Sequence, residues 1–163
     1  MVRSTNLLIL LLVCLLKRVT STHSHAYDPD MLFEEIVGQA GYLFESHQIK
    51  SQGYLLTLYR IPGAKESADN RPRPPVLFQH GLFDSAFAWV VHHPQKAPAF
   101  MASEAGYDVW LMNSRGVGPS RNHTIMDPDD HDKNMFWHFD WQDMGEEDLP
   151  QVFRYINTVT HYQ

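Results

Sequence analysis

Cysteine is nearly absent from this chain: Cys14 is the only one among its 163 residues. A single cysteine cannot close a disulfide within the chain. It also lies inside an apolar run near the amino terminus that we expect to be removed. The mature protein is therefore predicted to have neither a disulfide nor a reactive thiol.

An apolar run long enough to span a bilayer is also lacking. The run at residues 7–16 is about ten residues long, whereas a spanning helix needs about twenty. Arg3 precedes this run and residues 24–26 (Ser-His-Ala) offer a small-residue cleavage site, so residues 1–26 are predicted to be a signal peptide. Lys17-Arg18 leaves an uncleaved signal anchor as one alternative, and a buried amino-terminal helix is another. We expect a secreted or lysosomal protein without a transmembrane segment.

A strong excess of charge is missing as well. The formal net charge is -6 at pH 7 and 44% of the residues are hydrophobic, which is typical of a globular protein without a nucleic-acid partner. The acidic stretch at residues 127–132 lacks the glycine and distal glutamate of a calcium loop, and His131 has no histidine at zinc spacing. We therefore predict a solvated loop there, no metal site and no cofactor.

A serine nucleophile in its usual setting is the fourth absence, because no Gly-x-Ser-x-Gly occurs in the sequence. Gly118-Pro119-Ser120 imitates the start of that motif, but a proline precedes the serine and Asn122 replaces the second glycine. Ser114 lacks the same setting, and none of the ten histidines stands in a pattern typical of a catalytic base. No nucleophile is predicted within the chain.

A candidate site for negative charge is nevertheless present after Pro74-Pro75. Residues 76–79 predict a short buried strand, and His80-Gly81-Leu82 then turns the chain out of it. Ester hydrolysis needs backbone N–H groups directed at the developing oxyanion, and glycine lets a backbone approach a substrate closely. Leu82 N–H is therefore the predicted oxyanion donor, although a turn after a strand often requires glycine without any catalysis.

A second strand is predicted to end on the same edge of the sheet. Residues 98–105 predict a helix that begins at Pro98 and ends before Gly106, and residues 108–112 predict a buried strand. This order of elements indicates a parallel pair of strands. The residues that follow the second strand would form an active-site rim, with structural hydrogen bonds: Asn113, Ser114, Arg115 and Gly116.

Patterns in the rest of the chain predict two more helices and a hairpin. Asp28-Pro29 begins a helix whose apolar stripe is Met31, Leu32, Ile36 and Val37. Strands at residues 44–50 and 54–61 form a hairpin. A final helix has an apolar stripe at Leu149, Val152, Phe153, Ile156 and Val159, with Asp148 in its positive first turn. The aromatic residues before it could form a lipid site, but core packing is their favoured role: Phe136, Trp137, Phe139 and Trp141.

Four ordered blocks of the sequence resemble the acid lipase family, of the gastric and lysosomal type. They are Gly53-Tyr-Leu-Leu-Thr-Leu-Tyr-Arg-Ile-Pro62, His80-Gly-Leu-x-x-Ser-x-x-x-Trp89, Gly106-Tyr-Asp-Val-Trp-Leu-Met-Asn-Ser-Arg-Gly116 and Asp148-Leu-Pro150. The resemblance implies the amino-terminal portion of an α/β-hydrolase fold, with its first four strands and covering helices but without the nucleophile-elbow strand. It implies a partial α/β-hydrolase over residues 27–163, with a lipase-associated region at 28–90 and the start of the hydrolase core at 75–163. In that strand order, residues 76–78 would lie on an open apolar edge.

The resemblance implies a lipase of lipid catabolism that hydrolyses triacylglycerols or sterol esters, with a lipid ester or a lipid interface as its partner. Because the sequence lacks the serine, acid and histidine, we expect a truncated, inactive form. The alternatives are a secreted, non-catalytic lipid-binding or decoy protein and another α/β-hydrolase esterase. In a secreted chain, the sequon that begins at Asn122 predicts N-glycosylation.

Overall fold

The computed structural model describes residues 29–64, 72–133 and 135–162. The predicted signal peptide at residues 1–26 lies outside the described residues. Within them the predicted α/β class is confirmed, because helices cover a mixed sheet.

The sheet has four strands in the order β1-β2-β4-β3. These are β1 (Glu45–Ser51), β2 (Tyr54–Ile61), β3 (Pro75–Gln79) and β4 (Asp108–Met112). β2 is antiparallel to both β1 and β4, whereas β3 and β4 are parallel, as predicted. In the described part of the chain β3 lies at the edge of the sheet, and its middle residues are half-buried.

The turn between β1 and β2 has two residues, Gln52 and Gly53. Their φ angles are 49° and 95°, and positive values at both positions match the twist of a tight hairpin. A Cβ atom on Gly53 would lie 2.3 Å from His123 Nε2. The positive φ angle therefore favours glycine at this position, and a larger residue would also displace the His123 ring.

Helices lie on both faces of the sheet. The helices are α1 (Pro29–Gln39), α2 (Pro98–Glu104), α3 (Trp141–Asp143) and α4 (Leu149–Thr160), and a π-helical turn (Met144–Asp148) joins the last two. Short 3₁₀ turns occur at Ala86–Trp89, Gly118–Ser120 and Met135–Trp137.

Two hydrophobic clusters form because side chains alternate along each strand. On β4, Val109 and Leu111 face the cluster under α1 and α2, whereas Trp110 and Met112 face the cluster under α4. The first cluster also includes Phe33, Val37, Tyr59, Ile61 and Phe100. The second also includes Leu56, Leu58, Phe136, Val152 and Ile156.

Two of the predicted helical stripes need correction. In α1, Val37 is buried as predicted, but Met31 and Leu32 are exposed. The other buried position is Phe33, whose ring packs against Tyr59 with centroids 4.2 Å apart. In α4, Phe153 is 51% exposed, so it lies outside the buried stripe. In each helix one face packs against the sheet, and the apolar residues outside that face are exposed to solvent.

Candidate active site

The carboxyl ends of β3 and β4 bring the two predicted loops together. Gln79 pairs with Met112 in the parallel register, so the oxyanion loop (residues 80–82) and the rim (residues 113–116) leave the sheet side by side. Such an edge is where α/β sheets commonly build their sites.

His80 connects these loops through Nε2 of its ring, whereas Nδ1 is paired within the oxyanion loop itself. Its Nε2 accepts a hydrogen bond from Ser114 N–H at 3.0 Å, and its Nδ1 lies 2.8 Å from Gly81 O. Because a carbonyl oxygen only accepts and a backbone N–H only donates, Nδ1 carries the proton and the ring is neutral. His80 is buried and its nitrogens are engaged, so the geometry makes it a strut between the loops.

Leu82 projects from this loop and lines a cavity. Its side chain is exposed, and its N–H donates to no acceptor in the portion of the chain that the structure describes. A Cβ atom on Gly81 would meet no described atom within 4 Å. The described fold therefore does not itself require glycine at this position.

The side chains of Asn113 and Ser114 make hydrogen bonds within the site that hold the rim in place. Asn113 is fully buried, and its Oδ1 accepts from Ala86 N–H at 3.1 Å. Ser114 Oγ accepts from Gln79 Nε2 at 2.8 Å. His80 cannot serve as a base for the Ser114 hydroxyl in this arrangement, because its accepting nitrogen is occupied by the serine's own backbone N–H.

Arg115 is almost completely buried and forms a bidentate ion pair with Asp148. The distances are 2.8 Å from Nε and 2.6 Å from Nη2 to the two carboxylate oxygens. The guanidinium also lies over the Tyr54 ring, 4.3 Å from its centroid. Burial opposes the charged form, but the hydrogen bonds and charge of Asp148 outweigh it and raise the pKa of Arg115.

Asp148 has a partner that its sequence position did not predict. We predicted it only in the positive first turn of a helix, and the structure shows it fully buried and paired with Arg115. A signal was present, since Asp148, Val152 and Ile156 follow one another at intervals of four along one helical face. A carboxylate on a buried stripe requires a cationic partner.

The cavity beside these loops has a volume of about 360 Å³. The oxyanion loop and the rim contribute to its lining, and the rest is formed by mainly apolar residues: Met112, Trp137, Phe139, Trp141, Met144 and Leu149. Phe136 packs in the core as predicted, but Trp137 and Trp141 line the cavity and are 39% and 69% exposed. Gly116 lies so close to this wall that a Cβ atom would be 2.7 Å from Trp137.

Two peripheral loops lie outside the cavity. Asn122 is exposed at the start of its sequon. In the acidic loop, Asp129 pairs with Arg121 at 2.6 Å, and Asp130 pairs with Lys133 at 3.7 Å. Among the described residues, no group of three His, Cys, Asp or Glu side chains is arranged to hold a metal ion. None of the helices in the described ranges has the length and apolar content needed to cross a bilayer.

Comparison with known proteins identifies the class to which this fold and cavity belong. Residues 33–93 match the family described as the partial alpha/beta-hydrolase lipase region. The predicted resemblance to lipases is confirmed, and the chain belongs to this family of α/β-hydrolase lipases.

Particular relatives extend the match beyond that region. Identity is 38% to Lipase 1 of Drosophila melanogaster over 136 residues, which are 83% of this chain and 29% of that protein. It is 38% to gastric triacylglycerol lipase of Bos taurus over 131 residues, 79% of this chain and 32% of that protein. It is 36% to lipase member M of Homo sapiens over 156 residues, 92% of this chain and 36% of that protein. The chain thus spans about a third of the length of these curated relatives.

Proposed function

We propose that this chain carries one half of the oxyanion hole of a carboxylic-ester hydrolase, with Leu82 N–H as the donor. The observation that carries the proposal is the unengaged N–H of Leu82 among the described residues, on a loop that lines an apolar cavity. His80 supports that loop through both ring nitrogens. A donor held in place before the charge develops is the usual means of stabilising an acyl-transfer transition state.

We propose lipid esters as the substrate class, either triacylglycerols or sterol esters. The mainly apolar lining of the cavity suits an acyl or sterol group, and the open space above Gly81 would admit the ester carbonyl. Membership of the lipase family, which includes gastric triacylglycerol lipases, supports the same class.

We further propose that β1 to β4 are the first four strands of the α/β-hydrolase sheet. On this assignment residues 28–90 form the lipase-associated region and residues 75–163 begin the hydrolase core. The parallel pairing of β3 and β4 on either side of a helical connection supports the assignment.

The rest of the catalytic machinery would be supplied from outside these 163 residues. They contain no Gly-x-Ser-x-Gly, and an oxyanion hole without nucleophile and base leaves only binding and electrostatics. We therefore propose that the 163-residue polypeptide on its own does not hydrolyse esters.

A chimera tests the role of Leu82. The matching residues of this chain replace their counterpart in bovine gastric triacylglycerol lipase, and hydrolysis of trioleoylglycerol and cholesteryl oleate is measured. Leu82→Pro removes the N–H and should lower kcat about 100-fold to 1,000-fold. Leu82→Ala keeps the N–H and is the matched control. Equal kcat values for the two variants, both folded, would contradict the assignment.

Non-catalytic lipid binding is the second candidate function. The observation that favours it is that described residues alone already line an apolar cavity in which a ligand could bind. Trp137 and Trp141 in the wall provide a signal, and decanoate should change their fluorescence. Binding of decanoate by the 163-residue chain, together with an inactive but folded chimera, would favour this candidate over catalysis.

We also propose that the chain enters the secretory pathway, loses residues 1–26 and receives a glycan at Asn122, whose exposure makes it accessible. Expression from Met1 in insect cells should yield a protein that begins at Tyr27. Asn122→Gln should lower its mass by one glycan, and enzymatic deglycosylation should bring both proteins to nearly the same mass. A protein retained in the cytosol with Met1 intact would refute the leader, and equal masses before deglycosylation would refute the glycan.

A further inference from the structure

Three consecutive residues of the rim contact three different parts of the site. Ser114 N–H donates to His80 in the oxyanion loop, and Arg115 pairs with Asp148 at the end of the π-helical turn. Gly116 packs against Trp137 in the aromatic wall of the cavity, which consists of Trp137, Phe139 and Trp141. A displacement of Arg115 would therefore move the oxyanion loop and the aromatic wall relative to each other.

Arg115 contacts one carboxylate and two aromatic rings. Its guanidinium binds both carboxylate oxygens of Asp148, and its Cζ lies 4.3 Å from the Tyr54 ring centroid and 5.6 Å from the Phe139 ring centroid. The Phe139 ring itself lines the cavity. Tyr54 is anchored in turn, because its hydroxyl donates to Phe136 O at the start of the aromatic segment.

Asp148, the partner of Arg115, is the last residue of the π-helical turn. Met144 and Gly145 of the same turn line the cavity. A π turn inserts an extra residue into a helix and often occurs at functional sites. Here the turn carries both the partner of Arg115 and part of the cavity wall, so the ion pair and the wall cannot move independently.

We propose that Arg115 is a positioning residue, which fixes the aromatic wall at the distance from the oxyanion loop that an acyl chain requires. This inference rests on the proposed function, because it assumes that the cavity receives the acyl group. It assigns to a buried, ion-paired arginine an effect on ligand affinity beyond its effect on folding.

The test compares two double substitutions in the 163-residue chain. Arg115→Met with Asp148→Leu removes both charges of one pair and keeps its approximate shape. Such replacements are often neutral or stabilising for the fold, which separates stability from wall position. Arg60→Met with Asp108→Leu makes the same change in the pair at the opposite end of the sheet and is the matched control. Decanoate and hexadecanoate affinities are measured by tryptophan fluorescence, and folding by urea unfolding.

We expect Arg115→Met/Asp148→Leu to bind decanoate about tenfold more weakly or worse while still unfolding cooperatively. The control pair should bind within about twofold of the unsubstituted chain, because changes at an unrelated, distant site are normally independent of the cavity. Equal decanoate affinities for the two folded double variants would overturn the inference.

Arg115→Lys provides a second variant that keeps the charge facing Asp148. A lysine cannot reproduce the planar fork or the stacking on Tyr54, so affinity should fall about threefold or more. If the double variant does not fold, unchanged affinity in folded Arg115→Lys overturns the inference. If the unsubstituted chain binds neither acid, the proposed acyl cavity itself is wrong, whereas binding that no Arg115 substitution alters refutes this inference alone.

Discussion

Two arginine–aspartate pairs with nearly the same geometry lie at opposite ends of the sheet. Arg60 binds both oxygens of Asp108, at 2.9 Å and 3.0 Å, near the amino end of β4. Arg115 binds both oxygens of Asp148, at 2.8 Å and 2.6 Å, just beyond the carboxyl end of β4. Each guanidinium also lies over an aromatic ring, Trp110 for Arg60 and Tyr54 for Arg115.

Their surroundings differ. The Arg60 side chain is 18% exposed and has a second carboxylate partner, Glu45, at 2.9 Å. The Arg115 and Asp148 side chains are 1% and 0% exposed. The other side-chain hydrogen bond of Arg115 runs from Nη1 to Gln52 Oε1, at 3.5 Å. The first pair belongs to a partly exposed network with a second carboxylate, whereas the second is a buried pair beside a cavity. The same bidentate pair therefore links neighbouring strands at one end of the sheet and contributes to the cavity lining at the other.

The largest expected effect comes from breaking the buried pair. Asp148→Ala leaves the Arg115 charge buried without its carboxylate, which should cost about 3–5 kcal/mol of unfolding free energy. Asp108→Ala should cost less, about 1–3 kcal/mol, because Arg60 keeps Glu45 and the main loss is the acceptor of Trp110 Nε1. Urea unfolding of the two variants measures the difference.

Arg115→Met added to Asp148→Ala is the control for this prediction. Removing the orphaned charge should recover much of the lost stability if desolvation, and not packing, is the cause. A larger loss in Asp108→Ala than in Asp148→Ala would reverse the comparison, because the more exposed pair would then contribute more to stability.

The second prediction concerns pH and acts on the Arg60 network. Burial raises the pKa of Glu45, but the hydrogen bonds from Arg60 and His47 outweigh burial and lower it below its ordinary value. A carboxyl whose folded pKa is lowered contributes stability above its unfolded pKa of about 4.3 and loses that contribution as pH falls through the folded value. Glu45→Gln should therefore flatten the acid limb of the stability curve.

The Glu45 effect should stay below about 1 kcal/mol, because this side chain is 40% exposed and solvent screens it. Urea midpoints at about pH 6 and about pH 3 give the slope. Glu34→Gln, which alters an exposed carboxyl of α1, is the matched control and should leave the slope unchanged. Equal acid slopes for Glu45→Gln and the unsubstituted chain would show that the network adds no pH-dependent stability.

Local patterns predicted the elements that position the site. The β4 strand was predicted at its observed bounds, because it is a continuous apolar run between turn residues, and α2 was predicted between Pro98 and Gly106. The rim and the oxyanion loop follow from the ends of β3 and β4, since parallel strands end at one edge.

Partners distant in sequence could not be predicted in this way. The hydrogen bond from Ser114 to His80 joins residues 34 positions apart, and the Arg115–Asp148 pair joins residues 33 apart. Apolar periodicity also does not distinguish a residue that faces the core from one that lines a cavity, which is why Trp137 and Trp141 were assigned to packing. The sequence pattern predicts that such a residue is buried, but only the three-dimensional structure shows whether it contacts the core or a cavity.

The smallest expected effect tests the hydrogen bond from Arg115 to Gln52. Gln52→Asn shortens the side chain and loses the 3.5 Å contact, but it creates Asn-Gly, the preferred sequence for a two-residue turn with φ of 49° and 95°. Because that contact lies at the limit of a hydrogen bond, the gain in the turn should equal or exceed the loss, and stability should change by no more than about 0.5 kcal/mol. Thermal and urea unfolding of the variant measure this change. A loss above about 1 kcal/mol would mean that Gln52 holds Arg115 much as Glu45 holds Arg60, and the two ends of the sheet would then be built alike.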